Sequence, residues 1–149
     1  MATQAPCAEL LLDNQLCFAL YSTSLLMTKV YKPLLQELGL TYPQYLAMMV
    51  LWEGDGVTVG EVSSRLLTDP GSVTPLLKRL EAEGLLTRTR SSVDERVVEL
   101  FLTNKGLDLR ERAKAIPTCI LSASEQSIAE LSALKNKLNV LRASLQKAL

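Results

Sequence analysis

At 149 residues, 48% hydrophobic but only 5% aromatic, the chain is sized for one domain with an aliphatic, helical core, and is richer in apolar residues than a small monomer needs. Its 16 basic and 16 acidic residues cancel, so a case for nucleic acid must rest on where the charges sit. With no histidine and only three cysteines, none at metal-like spacing, a zinc site, a disulfide framework and most nucleophilic or general-base catalysis are excluded.

No cofactor is expected. No apolar run is long enough to span a membrane, and the N-terminus lacks the pattern of a secretory signal. A cytoplasmic protein that is not an enzyme is the expectation. Charge is graded along the chain: the first 56 residues are acidic, the middle is mixed, and the last 44 are basic. Within the middle, Arg88, Arg90 and Arg96 fall inside nine residues.

A first helix is expected from Asp13, as N-cap, to about Val30, with apolar residues at helical spacing. Pro33 restarts a short second helix ending at Gly39. Thr41 caps a third, with Pro43 and Gln44 in its first turn, Trp52 near its end, and Gly54 and Gly56 closing it. Thr58 with Glu61 forms a capping box that opens a helix through about Leu67. After the turn Thr68-Asp69-Pro70-Gly71, a further helix runs from Ser72 to Glu83 and stops at Gly84. Ser72 as N-cap puts Pro75 at the third helical position, where its missing N–H costs nothing. A start at Pro70 would put Pro75 inside the helix at a cost of ~3 kcal/mol.

Beyond Gly84 the period changes from 3.6 to 2. Leu86, Arg88 and Arg90 alternate with Leu85, Thr87 and Thr89, a polar tip covers Ser91 to Glu95, and Arg96 to Leu102 return as the second strand of a hairpin. Thr103 caps a helix containing Pro117, and Ser127 with Glu130 opens the last one. The fold class is therefore mainly α with a small β-hairpin, a winged helix-turn-helix. A single domain is expected over 1–149, with 41–102 as the winged module and the Leu- and Ala-rich helices of about 10–40 and 103–149 serving dimerisation.

In such a module the second helix enters the major groove. Ser72, Thr74, Pro75, Lys78 and Arg79 lie on the face that would meet bases and phosphates. Arg88 and Arg90 share a strand face and could grip phosphates, and Arg96 beside the tip could enter a minor groove.

The run from Val73 to Leu86, followed by Arg88, Asp94-Glu-Arg96 and Leu102-Thr-Asn-Lys-Gly106, resembles the MarR family of bacterial regulators over nearly the whole chain, about 10 to 147. The resemblance implies a homodimer with intertwined terminal helices on a pseudopalindromic operator of double-stranded DNA. It also implies that Asp94 pairs with an arginine to hold the wing in shape and that Arg96 is the minor-groove residue.

Cys17 lies near the start of the first helix, where unpaired N–H groups favour a thiolate, and no basic residue precedes Lys29. Tyr21 sits one turn on, on the same face. Tyr31 is ~21 Å further along a straight helix, so it could meet Cys17 only from a second subunit. Tyr42 is another phenolic donor. These residues alone leave Cys17 open between a small packed hydrophobe and a reactive thiol.

Leu16-Cys17-Phe-Ala-Leu-Tyr21, Tyr31-Lys-Pro-Leu-Leu and Leu40-Thr-Tyr42-Pro-Gln-Tyr-Leu resemble the organic-hydroperoxide-sensing OhrR-type branch of that family. This implies that Cys17 reacts with the peroxide, that Tyr31 and Tyr42 bond to it, and that Cys119 resolves the sulfenic acid as an intersubunit disulfide, with release of the operator. Phe18 and nearby Leu and Met residues are expected to give an apolar pocket. Cys7 departs from the two-cysteine pattern; it is expected in a mobile tail with no role, though it could compete with Cys119. A repressor controlled by a phenolic or acidic ligand, with structural cysteines, is the alternative.

Overall fold

The computed structural model describes residues 4–149. Two short 3₁₀ turns, Ala8–Leu10 and Leu12–Asn14, precede α1 (Leu16–Gln36) and α2 (Tyr42–Glu53). Then come β1 (Val57–Thr58), α3 (Val59–Arg65), α4 (Pro70–Ala82), β2 (Leu86–Arg90), β3 (Val98–Leu102) and α5 (Asn104–Ala113), followed by α6 (Ile116–Ser124) and α7 (Ile128–Lys147). The chain divides into two compact units, one up to Ala113 and one over Lys114–Leu149.

The first unit holds the core. Met48, Leu51, Val62, Val73, Leu77, Leu80, Leu86 and Leu100 are almost wholly buried, so α2, α3, α4 and the sheet close on one another. Helical spacing explains α4: Val73, Leu77 and Leu80 face inward while Ser72, Pro75, Lys78 and Arg79 stay exposed. The sheet is antiparallel in the order β1-β3-β2, with Arg88 opposite Leu100 and Val57 also opposite Leu100. Strand β1 was not expected. Two residues carry no readable period, and their pairing is set by a strand over 40 residues away.

Local chemistry sets most helix starts. Thr41 with Gln44, Thr58 with Glu61 and Ser127 with Glu130 each form a complete capping box. Gly84, with φ +79°, closes α4 in the left-handed region that a side chain disfavours, its N–H bonded to Glu81 O and that of Leu85 to Leu80 O.

Four expectations are corrected. Helix α1 begins at Leu16 after Gln15, not at Asp13, which lies in a 3₁₀ turn, so Cys17 is the second helical residue. Pro33 does not restart a helix, because α1 runs through it. Its one missing backbone bond is absorbed by a last turn held by buried Leu35, whose carbonyl accepts from Leu40 N–H. Helix α4 begins at Pro70, not after Ser72, which places Pro75 in its interior. Asp69 is the better cap: it accepts from the Ser72 N–H (2.9 Å) and the Ser72 hydroxyl (3.1 Å), and Pro70 is preset at the first position. Pro75 thereby forfeits a bond to the Gly71 carbonyl only. Finally, α5 ends at Ala113 and Pro117 is the second residue of a separate α6, where a missing N–H is free.

The N-terminal segment also differs from a loose tail. Asn14 Nδ2 donates to Ala8 O (2.8 Å) and Gln15 Nε2 to Glu9 O (2.9 Å), folding it back beside the start of α1. In the second unit, Ser127 caps α7, no residue of which is buried. Among the described residues no helix is long and apolar enough to cross a membrane.

Candidate DNA interface and redox site

The turn between α3 and α4 sets the recognition geometry. Leu67 takes a left-handed φ of +56° there, uncommon for a branched side chain, and the Ser63 hydroxyl donates to Thr68 O across the turn. Ser72, Pro75, Lys78 and Arg79 are exposed on the outer face of α4, with Thr74 half-buried and its hydroxyl donating to Pro70 O (3.0 Å).

The hairpin tip is held by short-range hydrogen bonds. Buried Ser91 accepts from the Val93 N–H (3.2 Å) and the Asp94 N–H (3.3 Å). Asp94 accepts from the Arg96 N–H (3.0 Å) and guanidinium (3.2 Å), which holds its carboxyl below the usual range, the side-chain bond being the larger cause. The Arg96 side chain is 90% exposed. Arg90 donates to Glu95 O (2.9 Å) across the tip.

Arg88 differs from its neighbours. Its backbone N–H donates to Glu81 Oε2 (2.7 Å) and its Nε to Oε1 (3.1 Å), and the two side chains are only 26% and 34% exposed. It is tied to α4 instead of standing free for a phosphate, and this explains how the wing strand is fixed to the recognition helix. The Arg88 backbone bond first, then its side chain and charge, hold the Glu81 carboxyl below its ordinary 4.5. A lowered carboxylate pKa contributes stability above the unfolded value, and that contribution is lost as pH falls through the folded one. Glu81→Gln is therefore expected to lower stability at pH 7 and to flatten its loss on acidification below about pH 4.5. Urea titrations across that range test this; equally steep acid profiles for both proteins would refute it.

Cys17 is exposed in the first turn of α1, and no side chain at Gln15 caps the helix there. Tyr21 is exposed too. Leu16, Phe18 and Leu20 are 60%, 37% and 36% exposed, so the expected apolar pocket around Cys17 is not formed within one chain; an outward helix face has no second wall. Cys119 is exposed in α6, and Cys7 donates its thiol to Glu9 Oε2 (3.0 Å).

At the other end of α1, Tyr31 and Tyr42 pack at a tilt of 56° with 5.0 Å between ring centroids, and Tyr45 lies 6.0 Å from Tyr31 and 6.4 Å from Tyr42. Burial, and then the neighbouring phenols Tyr42 and Tyr45, push Tyr31 up to about 12, so it stays a neutral O–H donor at any working pH. Burial also raises Tyr45.

A family model described as "Transcriptional regulator SarA/Rot" matches residues 29–112. The organic hydroperoxide resistance transcriptional regulator of Bacillus subtilis is 50% identical over 136 residues, covering 91% of this chain and 92% of that protein. Reduced AbfR bound to DNA, a protein of Staphylococcus epidermidis, superposes with a TM-score of 0.79 at 34% identity, covering 91% and 93% of the two chains. The disulfide form of AbfR superposes at 0.66, also 34% identical, covering 87% and 91%. A MarR-family regulator from Rhodococcus shares the fold, with a TM-score of 0.80 at 22% identity, covering 89% and 95%.

The chain belongs to the MarR family. It is a winged-helix, DNA-binding transcriptional regulator and not an enzyme. The neighbour of the candidate residues Tyr31 and Tyr42 that sequence reasoning missed is Tyr45. It is 5% exposed and its ring also meets Trp52, at 6.4 Å. The signal for it was present, since Tyr42 and Tyr45 lie one turn apart on a capped helix, but α2 is apolar all round and its period marks no face.

Proposed function

We propose that the protein is a homodimeric repressor that leaves a pseudopalindromic operator when an organic hydroperoxide oxidises Cys17. The observation that carries this reading is Cys17 in the first turn of an α1 that has no side-chain cap. N–H groups left open at a helix start are free donors beside the exposed sulfur, available to the oxygen that oxidation adds. The relatives support it: one is named for organic hydroperoxide resistance, and another occurs reduced on DNA and as a disulfide.

Helix α1 supplies the argument for a dimer. Leu16, Leu25, Leu26, Met27 and Val30 are 41–62% exposed on it, and Ile128, Leu134, Val140 and Leu145 are 54–70% exposed on α7. Exposed apolar surface on this scale calls for a partner, and a second copy would cover like with like. With α1 unbroken, Tyr31 stands ~21 Å along the helix from Cys17 of the same chain, so its phenol would reach the Cys17 of the other subunit.

The chemistry balances in two steps. The Cys17 thiolate attacks the peroxide, taking one oxygen as sulfenic acid while the alkoxide leaves and gains a proton as the alcohol. The Cys119 thiol of the other subunit then displaces that oxygen as water, leaving a disulfide. Closing two sulfurs to ~2.05 Å drags the helices that bear them and moves recognition helices out of register with half-sites ~34 Å apart.

On DNA, Ser72, Thr74, Pro75, Lys78 and Arg79 read the major groove, Arg90 supports the wing, and Arg96, with Asp94 below it, enters the minor groove. Operator titrations of the reduced and hydroperoxide-treated protein, with wild type and Cys119→Ser, test the scheme. Cys119→Ser is expected to be released but to recover faster on removal of the peroxide, as no disulfide locks it. Release with unchanged persistence would remove Cys119 as resolver. Tyr31→Phe and Tyr42→Phe are each expected to slow Cys17 oxidation by about an order of magnitude, a hydrogen bond to charged sulfur contributing ~1.5–3 kcal/mol. Sulfenic-acid trapping kinetics would read this; unchanged rates in both would sever the phenols from the thiol.

A further inference from the structure

A path of packed rings and hydrogen bonds runs from the phenol pair to the base of the wing. We infer that Tyr45 and Trp52 are positioning residues that transmit the state of Tyr31 and Tyr42 to the recognition helix and hairpin. The inference rests on the reading of Tyr31 and Tyr42 as sulfur-bonding phenols.

Tyr45 touches both phenols and is buried, so neither can shift without displacing it. Its ring meets Trp52 edge-on at 6.4 Å, two turns further along the same face of α2. The Trp52 indole N–H donates to Gly106 O at 2.9 Å, in the first turn of α5. That turn is fastened to the junction of α4 and β2: the Thr103 N–H donates to Leu85 O (3.1 Å), the Thr103 hydroxyl to Gly84 O (2.6 Å) and Lys105 Nζ to Glu83 O (2.7 Å).

Residues 83–85 join the recognition helix directly to the first wing strand, so what moves Gly106 bears on both DNA-reading elements together. Close-packed interiors pass on displacement because they do not compress. Coupling of this kind is reciprocal in free energy, so operator binding must in turn shift the position of the phenols, and the alkylation rate of the thiol they serve is the readout of that shift.

Trp52→Phe keeps an aromatic ring but removes the N–H, and Tyr45→Leu breaks the ring contacts by a different route. The experiment measures operator affinity before and after hydroperoxide, with Cys17 oxidation followed by peptide mass spectrometry. It also measures the rate at which a neutral alkylating agent modifies Cys17 in the reduced protein, with and without operator.

The expected result is that Trp52→Phe binds operator within about twofold of wild type when reduced and oxidises at Cys17 to the same extent. Its affinity loss on oxidation should fall at least fivefold short of the wild-type loss. In wild type the alkylation rate should change on operator binding, and in Trp52→Phe that change should vanish. A purely structural role would lower thermal stability and leave both ratios intact.

Release of Trp52→Phe and Tyr45→Leu to the wild-type extent would overturn the inference, as would a wild-type alkylation rate indifferent to operator. If wild type resists the peroxide while its alkylation rate still responds to operator through Trp52, the hydroperoxide reading has failed and the aromatic path stands.

Discussion

Cys17→Ser is expected to stay on its operator at hydroperoxide concentrations that weaken wild-type binding about a hundredfold or more. The size follows from what release means for a dimer. Loss of half-site register leaves only contacts with the backbone charge, and specific complexes are typically 10³-fold or more tighter than those. Serine differs from cysteine here in one respect that counts: its hydroxyl cannot be oxidised by a peroxide. Serine is close to cysteine in size and keeps an acceptor for a phenol O–H, so the exchange should leave the reduced fold and its subunit contacts nearly unchanged. Reduced-state affinity should therefore match wild type. The measurement is an operator titration at fixed salt, since affinity for DNA falls steeply with ionic strength. Release of Cys17→Ser at the wild-type peroxide dose would end the redox assignment and turn attention to a small phenolic or acidic ligand.

What the sequence disclosed and what it withheld divide along one physical line. Features decided within four residues were readable. Thr58 with Glu61 and Ser127 with Glu130 are capping boxes on sight, because each satisfies its own helix's open N–H groups. The alternation from Leu86 to Arg90 marked a strand for the same reason of local geometry.

Features decided by competition were misread. Ser72 and Asp69 can both cap α4, and the penalty at Pro75 favoured Ser72. The carboxylate at Asp69, accepting two bonds from Ser72, together with the preset Pro70, outweighed it. At α1 the expected cap, Asp13, lies in a 3₁₀ turn, and Gln15 stands at the cap without bonding there, which leaves the first turn open beside Cys17.

Features decided across the fold were invisible. The pairing of β1 with β3, the grip of Glu81 on Arg88 and the bond from Trp52 to Gly106 all join residues whose sequence neighbourhoods say nothing of each other. The candidate redox site shows the same division. Cys17 and the tyrosines were found by pattern, but the adjacency of Tyr31, Tyr42 and Tyr45 is made by the packing of α1 on α2.

Gly106→Ala is expected to destabilise the protein by about 3 kcal/mol, against the usual sign for a helix. On propensity alone, Gly to Ala inside α5 should gain ~1 kcal/mol. Here a Cβ would lie 2.2 Å from Leu85 O and 3.2 Å from its carbonyl carbon, both backbone atoms that no rotamer change can withdraw, and 3.1 Å from Leu102 Cδ2. Helix α5 must then lift off the α4–β2 junction, straining the bonds of Thr103 to Leu85 O and Gly84 O and of Trp52 to Gly106 O. Overpacking alone costs ~1–3 kcal/mol, and weakened buried hydrogen bonds add to it. For a chain of this length the melting temperature should drop by about 6–12 °C. Operator affinity should fall with it, because the lifted junction carries both the recognition helix and the wing. A variant as stable as wild type would mean that α5 and the junction separate at little cost, and a fastening that yields so easily could not pass a displacement from Trp52 to the DNA-reading elements.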